Sequence, residues 1–243
     1  METIKYLLVT EGPTDFIILE KISSIISKNI DKHIEFVQLS PQKDQTSDRY
    51  SDHGWKEVRK WCRLYGKNKD DLANVFARLS SKSKNWKTLV KVSNAKGIII
   101  QIDTDIAEYI DEINFRYQGT NKLSRKRFCE KVILNWLGED SLVEGLYFMK
   151  STDSTETFIL ATFPRNHENF NDLPAFFDFE DIKDVIPRLI KFGLTNYTRE
   201  DGINRLSKDL GLYEKYSDMI EKNFTKVRQE CQEIDFLCQK LEN

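Results

Sequence analysis

The chain has 243 residues and a formal net charge of -2, and its 40% hydrophobic content is enough for a folded core, which excludes a wholly disordered chain. No apolar run approaches the ~20 residues of a membrane helix, and the first residues lack the basic and apolar regions of a signal peptide, so we expect no membrane association. The four cysteines are widely spaced, without a Cys-x-x-Cys pair or a Cys/His cluster, which argues against a zinc ribbon or a disulfide framework and favours the cytoplasm.

The first two thirds of the chain show strands alternating with helices. Apolar, β-branched runs predict buried strands at 4–10, 33–39, 97–102 and 146–149. Helical spacing of apolar residues, with helix-start residues at Pro13 and Thr14, predicts helices from 13 or 14 onward, at 54–94 with a break near Gly66, at 124–137 and at 154–162. This alternation predicts an α/β fold with a mainly parallel sheet flanked by helices.

The remainder reads as helical. Residues 206–211 have the pattern of a helix end, and a single long helix is expected from about Tyr213 to the terminus. Its apolar residues recur at spacings of three and four: Phe224, Val227, Cys231, Ile234, Cys238 and Leu241. We expect this seam, cysteines included, to pack on the chain's own sheet, with a dimer contact as the alternative. The expected division is a catalytic domain at 1–167, with a basic helical insertion at about 40–96, and a helical region at 168–243.

The small net charge conceals strongly charged segments. Segment 54–96 holds twelve Lys and Arg against three Asp and Glu, and segment 116–131 holds six against one, whereas 168–243 holds eleven against sixteen. The basic segments predict contacts with a nucleic-acid backbone, and solvated helix surfaces are the alternative. The candidate contact residues are Lys56, Arg59, Lys60, Arg63, Arg125, Lys126 and Arg127. Aromatic residues among them would either stack on bases or anchor the helices to a core.

Carboxylates follow two of the predicted strands. Glu11 comes directly after the first strand, with Asp15 four residues on, and Asp103 and Asp105 follow the strand at 97–102. Because ligands bind where parallel strands end, these side chains are expected to meet at one edge of the sheet. Converging carboxylates repel one another unless a cation neutralises them, and Mg²⁺ or Mn²⁺ prefers such oxygen ligands. Turn formation and helix capping are the ordinary alternative roles of these acids.

These motifs resemble the Toprim domain of topoisomerases, primases and the nucleases of the overcoming-lysogenization-defect (OLD) family. Residues 7–15, LLVTEGPTD, resemble its Glu-Gly motif, and residues 99–105, IIQIDTD, resemble its Asp-x-Asp motif. Asp15 makes the first motif more similar to the OLD-type nucleases, and residues 154–161, STETFILA, resemble a later acidic element with Glu156 as its acid. The resemblance covers about residues 3–162 and implies a Toprim-like fold with magnesium ligands. Those ligands would be Glu11, Asp15, Asp103, Asp105 and Glu156.

The resemblance implies a Mg²⁺- or Mn²⁺-dependent endonuclease acting on DNA or RNA. Two ions about 4 Å apart would support phosphodiester hydrolysis, with Glu11, Asp103 and Asp105 as catalytic residues. Lys150 is a candidate for the cationic group that offsets charge on the phosphate, and an ordinary surface lysine is the alternative.

A stand-alone layout resembles the effectors of bacterial antiphage systems that cause abortive infection. The chain has no Walker A motif, so any ATPase would be a separate partner protein. We expect such a partner, or assembly into a homo-oligomer, to control the activity, with the acidic region 168–243 as a docking surface.

Three other functions stay open. A haloacid-dehalogenase-type phosphotransferase would use Asp103 as its nucleophile, although Ala107 stands where that family has Thr or Val. A non-catalytic regulatory partner would keep the metal site without cleaving, and a primase-like nucleotidyl transferase would incorporate nucleotides on a template.

Overall fold

The computed structural model describes residues 2–243 except 45, 48, 67–84, 113–114, 120, 152–153, 199–201 and 203. Its central element is a parallel sheet of four strands in the order β2-β1-β3-β4. The strands are β1 at Thr3–Val9, β2 at His33–Ser40, β3 at Gly97–Asp103 and β4 at Leu146–Ser151. All four predicted strands are therefore present, and the predicted α/β class with a mainly parallel sheet is confirmed.

Helices connect and cover the strands. In chain order they are α1 at Pro13–Ile30, α2 at Trp55–Tyr65, α3 at Trp86–Val92, α4 at Lys122–Leu137, α5 at Glu156–Leu160, α6 at Val185–Lys191, α7 at Leu210–Lys222, α8 at Phe224–Glu230 and α9 at Gln232–Glu242. Single 3₁₀ helices lie at Thr104–Tyr109, Glu168–Phe170 and Phe179–Asp181, and a small antiparallel hairpin pairs β5, Asn196–Thr198, with β6, Asn204–Leu206. The helix predicted at 54–94 with a break near Gly66 corresponds to α2, which ends at Tyr65, and α3, which begins at Trp86. Residues 67–84 between them lie outside the described residues.

The register of the sheet decides which strand ends are neighbours. Val9 is paired with Ile100, and Asp103 with Ser151, so β1, β3 and β4 all end at the same edge. Gly12 then breaks β1, and Pro13 occupies the first turn of α1, where its missing N–H costs no hydrogen bond. The turn between β1 and α1 and the end of β3 thus lie side by side.

The sheet has a hydrophobic core on each face because strand side chains alternate in direction. Leu7 and Val9 pack with α2, α3 and α4, whereas Tyr6 and Leu8 pack with α1 and the C-terminal helices. Three tryptophans of segment 54–96 pack in the first of these cores: Trp61 and Trp86 are buried in it, and Trp55 stacks on Trp136 with ring centroids 6.5 Å apart. For these residues the anchoring role is the one observed.

The C-terminal region is helical, as predicted, but the single long helix is wrong. The backbone leaves helical geometry at Asn223, with ψ at 19°, and at Cys231, with ψ at 107°. The two breaks separate α7, α8 and α9, so that α9 packs against α1 and β4 while α8 turns back on α9. The seam from Val227 to Leu241 is buried in the core of the same chain, which confirms the prediction of internal packing and of buried Cys231 and Cys238.

The prediction that residues 206–211 end a helix is also wrong. Leu206 ends β6 by pairing with Asn196, and Asp209 begins α7 because its carboxylate accepts the N–H of Leu212 at 3.0 Å. Lys208 lies between these two elements, and its ammonium pairs with Glu156 at the start of α5. Within the described residues, no helix combines the length and apolar character needed to cross a membrane.

Candidate functional site

Glu11 and Asp103 are joined by hydrogen bonds at the ends of β1 and β3. The N–H of Asp103 donates to the carboxylate of Glu11 at 2.8 Å, and the N–H of Glu11 donates to the side-chain oxygen of Gln101 at 3.0 Å. The fully buried amide of Gln101 donates in turn to Asp103 Oδ1 at 2.9 Å and to Thr155 Oγ1 at 3.2 Å. Gln101, a polar residue inside an apolar strand, therefore holds Glu11 by its backbone and Asp103 by its carboxylate.

Asp15 lies in the first turn of α1 and is almost completely buried. The N–H of Gly12 donates to its carboxylate, and the helix N-terminus favours a negative charge there. The hydroxyl of Thr155, which is close to Asp15, donates to Asp103 at 3.3 Å. A Cβ at position 12 would lie 3.2 Å from Asp15 Oδ2, so glycine at this position leaves room for the carboxylate to fold back over the turn. The structure thus places Asp15 beside the other strand-end acids, as its spacing from Glu11 predicts.

Glu156 begins α5 and is buried with two donors from the C-terminal region. The ammonium of Lys208 forms an ion pair with its carboxylate, and the hydroxyl of Tyr213 donates to the same oxygen. Burial alone would raise the pKa of Glu156, but the charge and hydrogen bond of Lys208, with the bond from Tyr213, lower it to about 2. The partners of Glu156 therefore favour its ionised form.

The other acids have raised pKa values, because burial and their mutual repulsion oppose their charged forms. Burial, together with the charges of Asp15 and Asp105, raises the pKa of Glu11 to about 8 against the N–H of Asp103 and the charge of Lys208, which lower it. Burial likewise raises the pKa of Asp15 to about 6, even though Lys208 lowers it. Burial and four neighbouring carboxylates raise the pKa of Asp103 well above its ordinary value, and burial also raises that of Asp105, which sits at the exposed rim. A bound cation would relieve this repulsion.

The donor set is one that hard divalent ions use. The side chains that meet here offer carboxylate, hydroxyl and amide oxygens, which suits Mg²⁺ or Mn²⁺ and not zinc. Among the residues described, however, no three His, Cys, Asp or Glu side chains converge as a ready-made metal group. The oxygen atoms of these side chains suit Mg²⁺ or Mn²⁺. For three of the acids to bind one ion, some of these side chains would have to adopt other rotamers.

Lys150 lies on β4 and not beside Glu156. Its ammonium pairs with Glu130 of α4, and its N–H donates to Glu233 of α9 at 3.1 Å. The lysine in contact with Glu156 is Lys208, which follows β6. A catalytic role for Lys150 stays a prediction, and the structure offers Lys208 as the closer cation.

Sequence reasoning missed Lys208, Tyr213, Gln101 and Thr155. Gln101 does have a visible signal, since it is a polar residue inside the apolar run IIIQID. Lys208 has none, because its contact with Glu156 spans 52 residues and depends on the path of the chain between β6 and α7.

The predicted nucleic-acid contacts on α2 form an exposed but partly paired surface. Lys56 and Lys60 are exposed, and Lys60 pairs with Glu57 at 3.0 Å. Arg63 and Arg59 both reach Glu112, at 2.7 and 3.5 Å. Glu112 thus neutralises part of this surface.

The three basic residues at 125–127 on α4 differ from one another. Arg127 is exposed, and Arg125 pairs with Glu108. Lys126 is buried, with its ammonium 2.9 Å from Glu233 and 3.4 Å from Glu180. Lys126 is therefore removed from the predicted nucleic-acid surface, because its helix position faces the C-terminal region.

Comparisons of this chain with protein-family models, with curated proteins and with solved structures found no match. The function must therefore be argued from the fold and from the residues at the strand ends.

Proposed function

We propose that this protein is a Mg²⁺- or Mn²⁺-dependent nuclease of the Toprim type, which hydrolyses phosphodiester bonds of DNA or RNA. The observation that carries the proposal is that Glu11, Asp15, Asp103 and Glu156 all lie where β1 and β3 end and where α1 and α5 begin, near enough for their charges to affect one another. A structural set of caps and turn residues would not need to gather so many carboxylates whose charges raise one another's pKa values.

Each side chain has a distinct part in this proposal. Glu11 and Asp103 would hold the metal, with Asp15, Asp105 and Glu156 completing one or two coordination spheres directly or through water. When bound, the divalent ions would activate a water molecule and stabilise the leaving oxygen. Gln101 orients Asp103 by its hydrogen bond of 2.9 Å.

Lysine supplies the positive charge of the site. Lys208 already neutralises Glu156, and a phosphate entering the site would meet its ammonium there. Lys150 is the cation expected from sequence, but its ammonium forms an ion pair with Glu130 of α4. Lys150 would have to break this ion pair to contact a phosphate at the strand-end acids.

The biological setting is proposed on the resemblance alone. A stand-alone nuclease of this layout would serve as an antiphage effector that causes abortive infection. Its restraint would come from a separate ATPase partner or from assembly into a homo-oligomer, with the acidic region 168–243 as the docking surface.

The direct test is incubation of the purified protein with plasmid DNA, single-stranded DNA and transfer RNA, with Mg²⁺, Mn²⁺ or chelator. We expect cleavage with a divalent ion by the wild type and by the exposed control Glu214→Gln, and none by Glu11→Gln or Asp103→Asn. Equal cleavage by Glu11→Gln, or no cleavage of any substrate, would contradict the proposal. Nucleotide incorporation on a template would indicate a primase-like transferase, and a covalent aspartyl-phosphate at Asp103 would indicate a phosphotransferase.

A further inference from the structure

A concave site lies at the start of α4, apart from the strand-end acids. It is a cavity of about 340 Å³, lined mainly by Tyr117, Gln118, Asn121, Ser124, Arg127 and Lys131. Its lining, among the residues that the structure describes, holds no carboxylate, which separates it chemically from the strand-end site.

Tyr117 forms a fixed aromatic wall of this cavity. Its hydroxyl lies 2.9 Å from Ser124 Oγ and 3.3 Å from the carbonyl oxygen of Asn121, and its ring meets the ring of Phe128 edge to face at 5.5 Å. A Cβ at Gly119 would lie 2.7 Å from the ring, so the loop is packed closely against it. An aromatic held in this way offers a stacking surface at small entropic cost.

The cavity also carries two unpaired cations. Arg127 and Lys131 are exposed and lie one turn apart on α4, where like charges repel each other. In the described part of the chain neither has a carboxylate partner, in contrast to Lys126, which has two. A bound anion between them would remove this repulsion.

The cavity is linked to the strand-end site through Arg125. The side chain of Arg125 bonds to Tyr117, pairs with Glu108 of the 3₁₀ helix Thr104–Tyr109, and its charge acts on Asp105. The 3₁₀ helix itself packs against α4. Arg125 thus contacts both the aromatic wall of the cavity and the 3₁₀ helix that begins directly after Asp103.

We propose that this cavity binds one nucleotide unit of a single-stranded nucleic acid, with the base on Tyr117 and the adjoining phosphate between Arg127 and Lys131. The inference rests on the proposed nuclease function and names its substrate as single-stranded. Stacking on Tyr117 needs an open base face, which a duplex hides and a single strand offers.

The test is the binding of a fluorescein-labelled 12-nucleotide single strand, and of its duplex, to the full chain in chelator, where no metal-dependent cleavage occurs. We expect the wild type to prefer the single strand. Tyr117→Leu should weaken binding roughly 5- to 100-fold, and Tyr117→Phe, which keeps the ring, should retain it. Arg127→Gln with Lys131→Gln removes one phosphate contact and should lower the slope of log affinity against log salt by roughly 0.7.

The matched control is Lys215→Gln with Lys222→Gln, which removes two exposed lysines from α7 on the other side of the sheet. This control should change both the single-strand affinity and the salt slope less than the Arg127/Lys131 double variant does. No binding by the wild type, a preference for duplex, or wild-type binding by both Tyr117→Leu and the Arg127/Lys131 double variant would overturn the subsite.

Failure of the nuclease proposal would look different. The protein would then bind the single strand through Tyr117 but leave it intact when Mg²⁺ or Mn²⁺ is added.

Discussion

Glu11 and Asp103 lie 92 residues apart in the chain, and the N–H of Asp103 donates a hydrogen bond of 2.8 Å to the carboxylate of Glu11. This bond favours the ionised form of Glu11, whereas burial, the larger effect, favours the protonated form. The ends of β1 and β3 thus place a buried acid beside other acids, an arrangement that costs stability in the metal-free protein.

A first prediction concerns Glu11→Gln and pH. Glu11 has its pKa raised from 4.5 to about 8, so the folded state holds a proton that the unfolded state releases between these values. The contribution of Glu11 to stability is therefore favourable to folding at low pH and is lost as pH rises from about 4.5 to 8. Glutamine keeps an acceptor for the N–H of Asp103 without the charge, and we expect it to stabilise the metal-free protein on the order of 2 kcal/mol at pH 8.5.

Urea denaturation in chelator at pH 4.5, 6.5 and 8.5 measures this effect. The difference from wild type should grow across the series, whereas the exposed control Glu214→Gln should give a flat difference. A Glu11→Gln variant that is equally or less stable than wild type at pH 8.5 would contradict the charge assignment.

A second prediction concerns metal binding. Because an ion that binds only the folded state stabilises it, Mn²⁺ at 100 times its dissociation constant should add about 2.7 kcal/mol to the free energy of unfolding. Asp103→Ala and Glu11→Ala should each lose this gain and lower the Mn²⁺ affinity at least tenfold, measured by calorimetry. Unchanged Mn²⁺ affinity in both variants would mean that the strand-end acids are not the metal site.

A third prediction compares two lysines. Lys208→Met leaves the buried Glu156 with only its hydrogen bonds from neutral groups, and since 57% of the Lys208 side chain is exposed, we expect a loss of about 1–3 kcal/mol at pH 7. The pKa of Glu156 is lowered to about 2, so the stability it contributes is present above 4.5 and lost as pH falls toward 2. The cost of Lys208→Met should accordingly shrink at pH 3.

Lys150→Met is the matched control for this comparison. It breaks a pair with the half-buried Glu130 and should cost about 1 kcal/mol or less. Cleavage should fall further in Lys208→Met than in Lys150→Met. The reverse order would restore Lys150 as the cation of the site.

The parts of the site that could be predicted from sequence are those fixed by local pattern and by sheet topology. Glu11 and Asp103 each follow a run of apolar residues, and parallel strands necessarily bring such ends to one edge. The ion pair of Lys208 with Glu156 depends on the β5–β6 hairpin and on the start of α7, about 50 residues after Glu156. The pattern of residues around Glu156 does not predict this contact. The breaks at Asn223 and Cys231 are similarly hidden, because neither carries the Pro or Gly that usually marks a helix end.

The last prediction concerns Lys126, which sequence alone cannot tell from its neighbours in the run Arg125-Lys126-Arg127. Only the three-dimensional structure shows that Lys126 faces inward, where it lies between Glu180 and Glu233. Lys126→Met would leave two buried carboxylates without their cation, and we expect it to cost about 3–5 kcal/mol of unfolding free energy. Arg127→Met, one residue on, should stay within about 0.5 kcal/mol because that side chain is exposed.

Urea denaturation at pH 7 separates the two variants, and a single-strand binding assay separates their roles. Lys126→Met should bind nucleic acid like wild type at temperatures where it remains folded, since its ammonium never reaches the surface, whereas Arg127→Met should bind more weakly while remaining as stable as wild type. Weaker binding by a folded Lys126→Met at unchanged stability would return Lys126 to the nucleic-acid surface and would place the two glutamates elsewhere.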